Sequence, residues 1–226
     1  MTGKLFDRHS PASSPVKTLV QCDFDGTVTI EDTSFIMLDT FANGDWRKIY
    51  KEYSAGKKSV GYFNREAFAM VKAYRKELLT SIDGKVAVRS GFKELVECCS
   101  RKDFRFVIVS NGLDFYIKHI LKQQGFSDIE VHASWTRFRD NRLSVKYVGP
   151  DGDSLDDGFK ETWAEKFLGD NYRVIYIGDG TSDISPARKC HYVFATGVLL
   201  ERCREVKLPC TPFSTFHDVV TVLESM

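Results

Sequence analysis

The chain has 226 residues, of which 42% are hydrophobic and 28% charged, with a formal net charge of +1. That length holds one domain with a substantial core, or one domain carrying an insert. The near-neutral charge gives no overall field to draw nucleic acid or an anionic membrane, and no apolar run nears the roughly 18 residues that cross a bilayer.

Residues 1–16 read as a flexible lead-in. They lack the apolar stretch of a signal peptide, and Pro11 and Pro15 keep them extended. Cys22, Cys98, Cys99, Cys190, Cys203 and Cys210 form no CxxC pair, which fits reduced thiols in a cytoplasmic protein.

The first strand is expected at "TLVQC", Thr18 to Cys22, and it runs straight into Asp23, Asp25, Gly26 and Thr27. From Asp32 to Arg89 the pattern turns helical and aromatic. Trp46, Ile49, Tyr50 and Tyr53 recur at helical spacing, and Gly44, Gly56 and Gly61 punctuate the segment. This reads as a small helical cap over 32–89, set between core pieces 17–31 and 90–226.

Phe92, Leu95, Val96 and Cys99 mark the next helix. The apolar run "FRFVIV", Phe104 to Val109, is the second expected strand and ends in Ser110-Asn111-Gly112. Leu113, Tyr116, Ile117, Ile120 and Leu121 then form a helical stripe, with Gly125 as its C-terminal stop. Residues 130–158 read as a β-hairpin around Asp140-Asn141, lying over the edge where the strands end. Lys160 opens a helix before the third strand, "YRVIYI", Tyr172 to Ile177. That strand ends in Gly178-Asp179-Gly180, with Asp183 close behind. A short helix leads to "YVFA", Tyr192 to Ala195, and Phe216, Val219, Val220 and Leu223 mark a last helix.

Strands alternating with helices predict an α/β fold, a Rossmann-like doubly wound parallel sheet with helices on both faces. The three polar strand ends then meet at one edge. Crowded carboxylates need a cation, and all-oxygen ligation suits Mg²⁺. Glycine-rich turns offer backbone N–H groups to an anion, Ser110 adds a hydroxyl, and Lys160 completes a phosphate site. Together these spell phosphoryl transfer through an activated aspartate.

The motifs match a known set. "DFDGT" fits a DxDx[TV] pattern, "IVSNG" a strand ending in serine, Lys160 a lone motif lysine, and "IGDGTSD" a GDxxxD pattern. In this order, from about residue 18 to residue 198, they resemble the haloacid dehalogenase superfamily phosphatases. The resemblance implies that Asp23 attacks phosphorus and that Asp25 serves as acid and then base, oriented by Thr27. It implies that Ser110, Asn111, Gly112, Thr27 and Lys160 hold the phosphate. Mg²⁺ would sit on Asp23, the carbonyl of Asp25 and Asp179. Asp183 would join it through water or pair with Lys160.

An insert after the first strand resembles the family's C1 cap, which closes over small phosphorylated metabolites. Within the family the chain resembles the branch of methionine-salvage phosphatases. Phosphoserine and phosphocholine or phosphoethanolamine phosphatases stand as alternatives. Asp32 and Phe35, at the doorway to the cap, are the expected readers of the substrate. A phospho-accepting signalling module or a metabolite-binding regulator on the same fold is the reading of another class. Asp25 speaks against the former, since it supplies the acid–base group for hydrolysis. The expected partner is a small metabolite, with neither nucleic acid nor membrane, and the sequence carries no sign of oligomeric state.

Overall fold

A computed structural model describes residues 16–226, so the expected lead-in, apart from Val16, lies outside the described residues. Strand β1 (Thr18–Cys22) is buried along its whole length, as a central strand of a parallel sheet is. Five helices follow before the chain returns to the sheet, and the first four form the insert. These four are α1 (Thr33–Phe41), α2 (Trp46–Ser54), α3 (Val60–Ala69) and α4 (Arg75–Ile82). Asp32, Asp45 and Ser59 cap the first three, each accepting from a backbone N–H of the first turn. The two legs of this insert pair with each other: Ile30 N–H donates to Ala87 (2.9 Å) and Arg89 N–H to Val28 (2.8 Å).

The remaining chain alternates as expected. It runs α5 (Phe92–Arg101), β2 (Arg105–Leu113), α6 (Asp114–Gln123), β3 (Glu130–Arg139), β4 (Arg142–Val148) and β5 (Ser154–Leu155). Then come α7 (Phe159–Gly169), β6 (Arg173–Gly178), α8 (Ile184–Ala187), β7 (Tyr192–Ala195), α9 (Gly197–Glu205), β8 (Thr211–Pro212) and α10 (Phe216–Glu224). One sheet has the order β5-β4-β3-β2-β1-β6-β7-β8. Strands β3, β2, β1, β6, β7 and β8 run parallel, and β4 and β5 are antiparallel additions. From β1 the chain winds outward through β2 and β3, then returns to β6 and winds the other way. The direction reverses between β1 and β6, the place where such sheets open a crevice at their carboxyl ends.

Two expectations are corrected. The second strand does not stop at Val109 but continues through Ser110, Asn111 and Gly112 to Leu113. Its register against β3 shifts between Val109 and Leu113, and that irregularity takes Ser110–Gly112 out of the regular ladder. The hairpin of residues 130–158 turns at Asp140-Asn141 as read, with Asp140 at φ 54°. It widens the sheet sideways instead of folding over its edge, because Glu130 to Ser134 pair in parallel with β2.

Candidate active site

Asp23 follows β1 directly and is buried. Its Oδ1 lies 2.7 Å from Lys160 Nζ, which is 2.6 Å from Asp183 Oδ1. Gln21 fixes the base of this bridge by donating to the Lys160 carbonyl (2.9 Å). Burial works to lower the Lys160 ammonium, but Asp183 and Asp23 outweigh it and hold the ammonium above its ordinary range. Asp183 is fully buried. Oδ1 accepts from Lys160 and from Tyr176 Oη (2.6 Å), and Oδ2 accepts from the N–H groups of Asp179 (2.9 Å) and Gly180 (2.8 Å). Four donors fill a carboxylate's usual lone-pair directions. Asp183 is therefore the partner of Lys160 and the anchor of the turn after β6.

Asp25, two residues on, has other partners. Oδ1 accepts from Thr33 N–H at the start of α1 (2.9 Å), and Oδ2 accepts from the Tyr116 hydroxyl on α6. Ser34 Oγ lies 2.8 Å from the same hydroxyl. Burial raises the Asp25 carboxyl, while Tyr116 and Thr33 work to lower it. Burial also pushes Asp23 well above the carboxylate range.

The structure departs from expectation at Thr27. Its hydroxyl donates to Asp179 Oδ1 (2.8 Å), not to Asp25. The turn explains this. Gly26 has φ +77°, and a Cβ there would lie 2.3 Å from Asp179 Oδ2, so only glycine lets the loop after β1 close against the loop after β6. Asp179 is raised to about 6, by burial first and by Asp183 second.

Ser110 Oγ accepts from Gly112 N–H (3.0 Å), which frees its own proton to turn outward. The carbonyls of this irregular end of β2 are held from behind. Asn111 O accepts from Asn64 Nδ2 (3.1 Å) and Tyr147 Oη (2.6 Å), and Gly112 O from Ser134 Oγ (2.8 Å). A Cβ on Gly112 would lie 2.2 Å from Tyr116 Oη and 2.4 Å from Asp25 Oδ2.

A cavity of about 300 Å³ opens over these groups, lined by Asp23, Asp25, Ser110, Asn111, Gly112, Lys160 and Asp179 on the sheet side. The insert supplies Asp32, Ser34, Phe35, Tyr50, Tyr53, Phe63 and Asn64. Phe35 packs 4.9 Å from the rings of both Trp46 and Tyr50, so the aromatic residues form the insert's own core and the cavity wall at once. Trp46 is buried behind Phe35 and does not line the cavity. Asp32 caps α1 through Phe35 N–H (3.1 Å), and burial, then Asp25, raises its carboxyl well above the usual range.

The family described as haloacid dehalogenase-like hydrolase matches residues 20–188. The chain belongs to the haloacid dehalogenase-like hydrolases. Among curated relatives of this hydrolase are two 2-hydroxy-3-keto-5-methylthiopentenyl-1-phosphate phosphatases. The protein from Brevibacillus brevis is 27% identical, covering 93% of this chain and 96% of its own. The protein from Geobacillus thermodenitrificans is 29% identical, covering 91% and 94%. Similar solved structures include a phospho-aspartyl intermediate analogue of phosphoserine phosphatase, with TM-score 0.69, 20% identity and coverage of 91% and 98%. A substrate-bound phosphoserine phosphatase complex gives TM-score 0.68 and 19% identity over the same shares.

The hydrolase's donor set fits a hard divalent cation. Asp23, Asp179 and Asp183 each offer a carboxylate oxygen within 4.8 Å of the others. With Asp183 saturated by four donors, the carboxylates of this cluster fitted to hold such an ion are Asp23 and Asp179. Asp183 would act from behind, through Lys160 and the Asp179 amide.

Four of the hydrolase's residues at or behind this site escape a reading of the sequence. Asn64 and Tyr147 brace the Asn111 carbonyl, Tyr116 holds Asp25, and Arg89 donates to the carbonyls of Gly26 (2.6 Å), Thr27 (2.8 Å) and Ser214 (2.9 Å). Only Tyr116 left a signal. A tyrosine within a fully apolar helical stripe brings a hydroxyl that needs a buried partner.

Proposed function

We propose that the chain is a Mg²⁺-dependent phosphomonoesterase that hydrolyses a small phosphorylated metabolite through an aspartyl phosphate. One observation carries this reading. Asp23 and Asp25 stand two residues apart yet in different chemical settings, one ion-paired to Lys160 and the other held by neutral donors. Two carboxyls kept apart in this way can take different roles.

In the proposed reaction the Asp23 oxygen not held by Lys160 attacks phosphorus. The bond from phosphorus to the ester oxygen breaks, and the Asp25 proton passes to that oxygen, releasing an alcohol. A water then gives its proton to Asp25 as its oxygen attacks the acyl phosphate. The bond from phosphorus to Asp23 breaks, phosphate leaves, and both carboxyls are restored. Ser110 and the amide of Asn111 hold the non-bridging oxygens, the Gly112 amide orients the Ser110 hydroxyl by donating to it, and Lys160 offsets charge on Asp23 and the phosphate. Mg²⁺, when bound at Asp23, Asp25 and Asp179, supplies charge neutralisation between carboxylate and phosphate.

Residues 32–89 act in this reading as the cap, with Asp32 and Phe35 as readers of the leaving group. The relatives' names and the aromatic wall of Phe35, Tyr50 and Phe63 favour a methionine-salvage-type phosphomonoester, whose methylthio tail is apolar. Para-nitrophenyl phosphate with Mg²⁺ tests the activity, and it is expected to turn over and to stop in Asp23→Asn. Undiminished turnover in that variant would show the nucleophile to be another residue. A panel holding the methionine-salvage intermediate, phosphoserine and phosphocholine, scored by phosphate release, tests the substrate.

A further inference from the structure

Asp25 is held from two sides that are far apart in sequence. Thr33 N–H comes from the first turn of α1, in the insert, and the Tyr116 hydroxyl comes from α6, in the sheet region. Tyr116 is fully buried, and its one polar atom reaches two partners, Asp25 Oδ2 and Ser34 Oγ. Ser34 is also on α1. The hydroxyl of Tyr116 thus joins the sheet region, the insert and Asp25 at one point. The irregular end of β2 is shaped around it, since a single methyl group on Gly112 would collide with both Tyr116 Oη and Asp25 Oδ2.

The chemistry of the three partners differs. A backbone N–H can only donate, so Thr33 fixes Oδ1 as an acceptor whether or not the carboxyl carries a proton. A phenol and an alcohol can each donate or accept. When Asp25 is ionised, Tyr116 donates to it and Ser34 can donate to Tyr116. When Asp25 carries a proton on the other face of Oδ2, the same two hydroxyls still hold that oxygen in place. Phenylalanine would fill the same space but leave the Asp25 oxygen and the Ser34 hydroxyl without this partner.

We infer that Tyr116 is the positioning residue for Asp25, aiming its carboxyl at the leaving-group oxygen, with Ser34 tying that aim to the docked insert. The inference rests on the phosphomonoesterase reading and adds a residue that the motif set does not contain. It concerns geometry, so it has a signature that a loss of folding lacks. Proton donation matters most when the leaving oxygen is basic. A mis-aimed Asp25 slows esters of basic alcohols more than esters of acidic ones.

The test compares phenyl phosphate with para-nitrophenyl phosphate, which share an aryl ring but differ in the basicity of the leaving oxygen, each variant being compared with the unsubstituted protein on the same ester. In Tyr116→Phe, kcat/KM on phenyl phosphate is expected to fall about tenfold further than kcat/KM on para-nitrophenyl phosphate, because kcat/KM reports the step in which the ester oxygen leaves and not the hydrolysis of the aspartyl phosphate that both esters share. Equal losses on the two esters, or none, would overturn the inference. Ser34→Ala, which leaves the aromatic packing intact, is expected to shift the ratio the same way by about threefold, and covers the case in which Tyr116→Phe does not fold. An unchanged ratio in Ser34→Ala would remove the link to the insert. If the unsubstituted protein hydrolyses neither ester with Mg²⁺, the phosphomonoesterase reading itself fails and takes this role with it. Turnover with unchanged ratios overturns only the role of Tyr116.

Discussion

At the scale of single residues, the site separates what a motif can reveal from what only folding can. Asp23, Asp25, Ser110, Lys160 and Asp179, which line one cavity, are legible because each closes an apolar run or opens a helix, and such positions converge at the carboxyl edge of a doubly wound sheet. The partner of Thr27 is not legible, because its hydroxyl meets Asp179 across 152 positions of sequence. That contact gives a prediction. Thr27→Val keeps the shape and removes the donor that orients Asp179 Oδ1. Loss of a hydrogen bond behind a metal ligand typically weakens metal affinity by about 10–100-fold. Mg²⁺ titration of phosphatase activity should show that shift in half-saturation, with much less change in turnover at saturating Mg²⁺. An unaltered titration would mean that Thr27 serves only the turn.

Among the elements, the strands at the sheet's centre and the helices that cover them follow from local apolar runs. Strand β1 is expected and found over Thr18–Cys22, and β7 over Tyr192–Ala195. The run of β2 past Val109 was illegible, since its continuation depends on pairing with β3 and not on its own composition. The insert is legible as helices, but what ties it down is not. Its legs are paired by backbone bonds, and the Arg89 side chain closes the outgoing leg onto the Asp-Gly-Thr turn. A planar guanidinium can reach three carbonyls at once, while an ammonium on a flexible stem cannot hold that geometry. Arg89→Lys is therefore expected to lower stability by about 2 kcal/mol, the loss of charged hydrogen bonds to backbone carbonyls. It should also lower kcat, because Gly26 and Thr27 carry the turn between Asp25 and Asp179. Denaturant unfolding and steady-state kinetics on one preparation check both. Loss of stability with kcat unchanged would confine Arg89 to holding the fold.

Over the whole molecule, the carboxyl edge of the sheet gathers more negative charge than its own cation can offset. Asp23, Asp25, Asp32 and Asp179 line one cavity with Lys160 among them, and all four carboxyls are raised, by burial foremost in each. Local stability is thus given up at the edge where chemistry is expected. A cation that binds the folded chain and not the unfolded one returns it, by about 2.7 kcal/mol at a concentration 100 times its dissociation constant. For a chain of this size, each kcal/mol corresponds to roughly 2–4 °C in midpoint, so saturating Mg²⁺ should raise the thermal midpoint by roughly 5–10 °C. Asp179→Asn separates repulsion from ligation. The asparagine oxygen can still accept from Thr27, so the turn persists while one negative charge is lost. Without Mg²⁺ the variant should melt higher than the unsubstituted protein, because repulsion within the cluster is relieved. With Mg²⁺ it should gain little, because a ligand is weakened. Scanning calorimetry of the two proteins with EDTA and with Mg²⁺ gives all four midpoints. A variant that gains as much from Mg²⁺ as the unsubstituted chain would place the ion away from Asp179. A variant that melts lower without Mg²⁺ would show that the edge is held by the hydrogen bonds of its carboxylates more than it is strained by their charge.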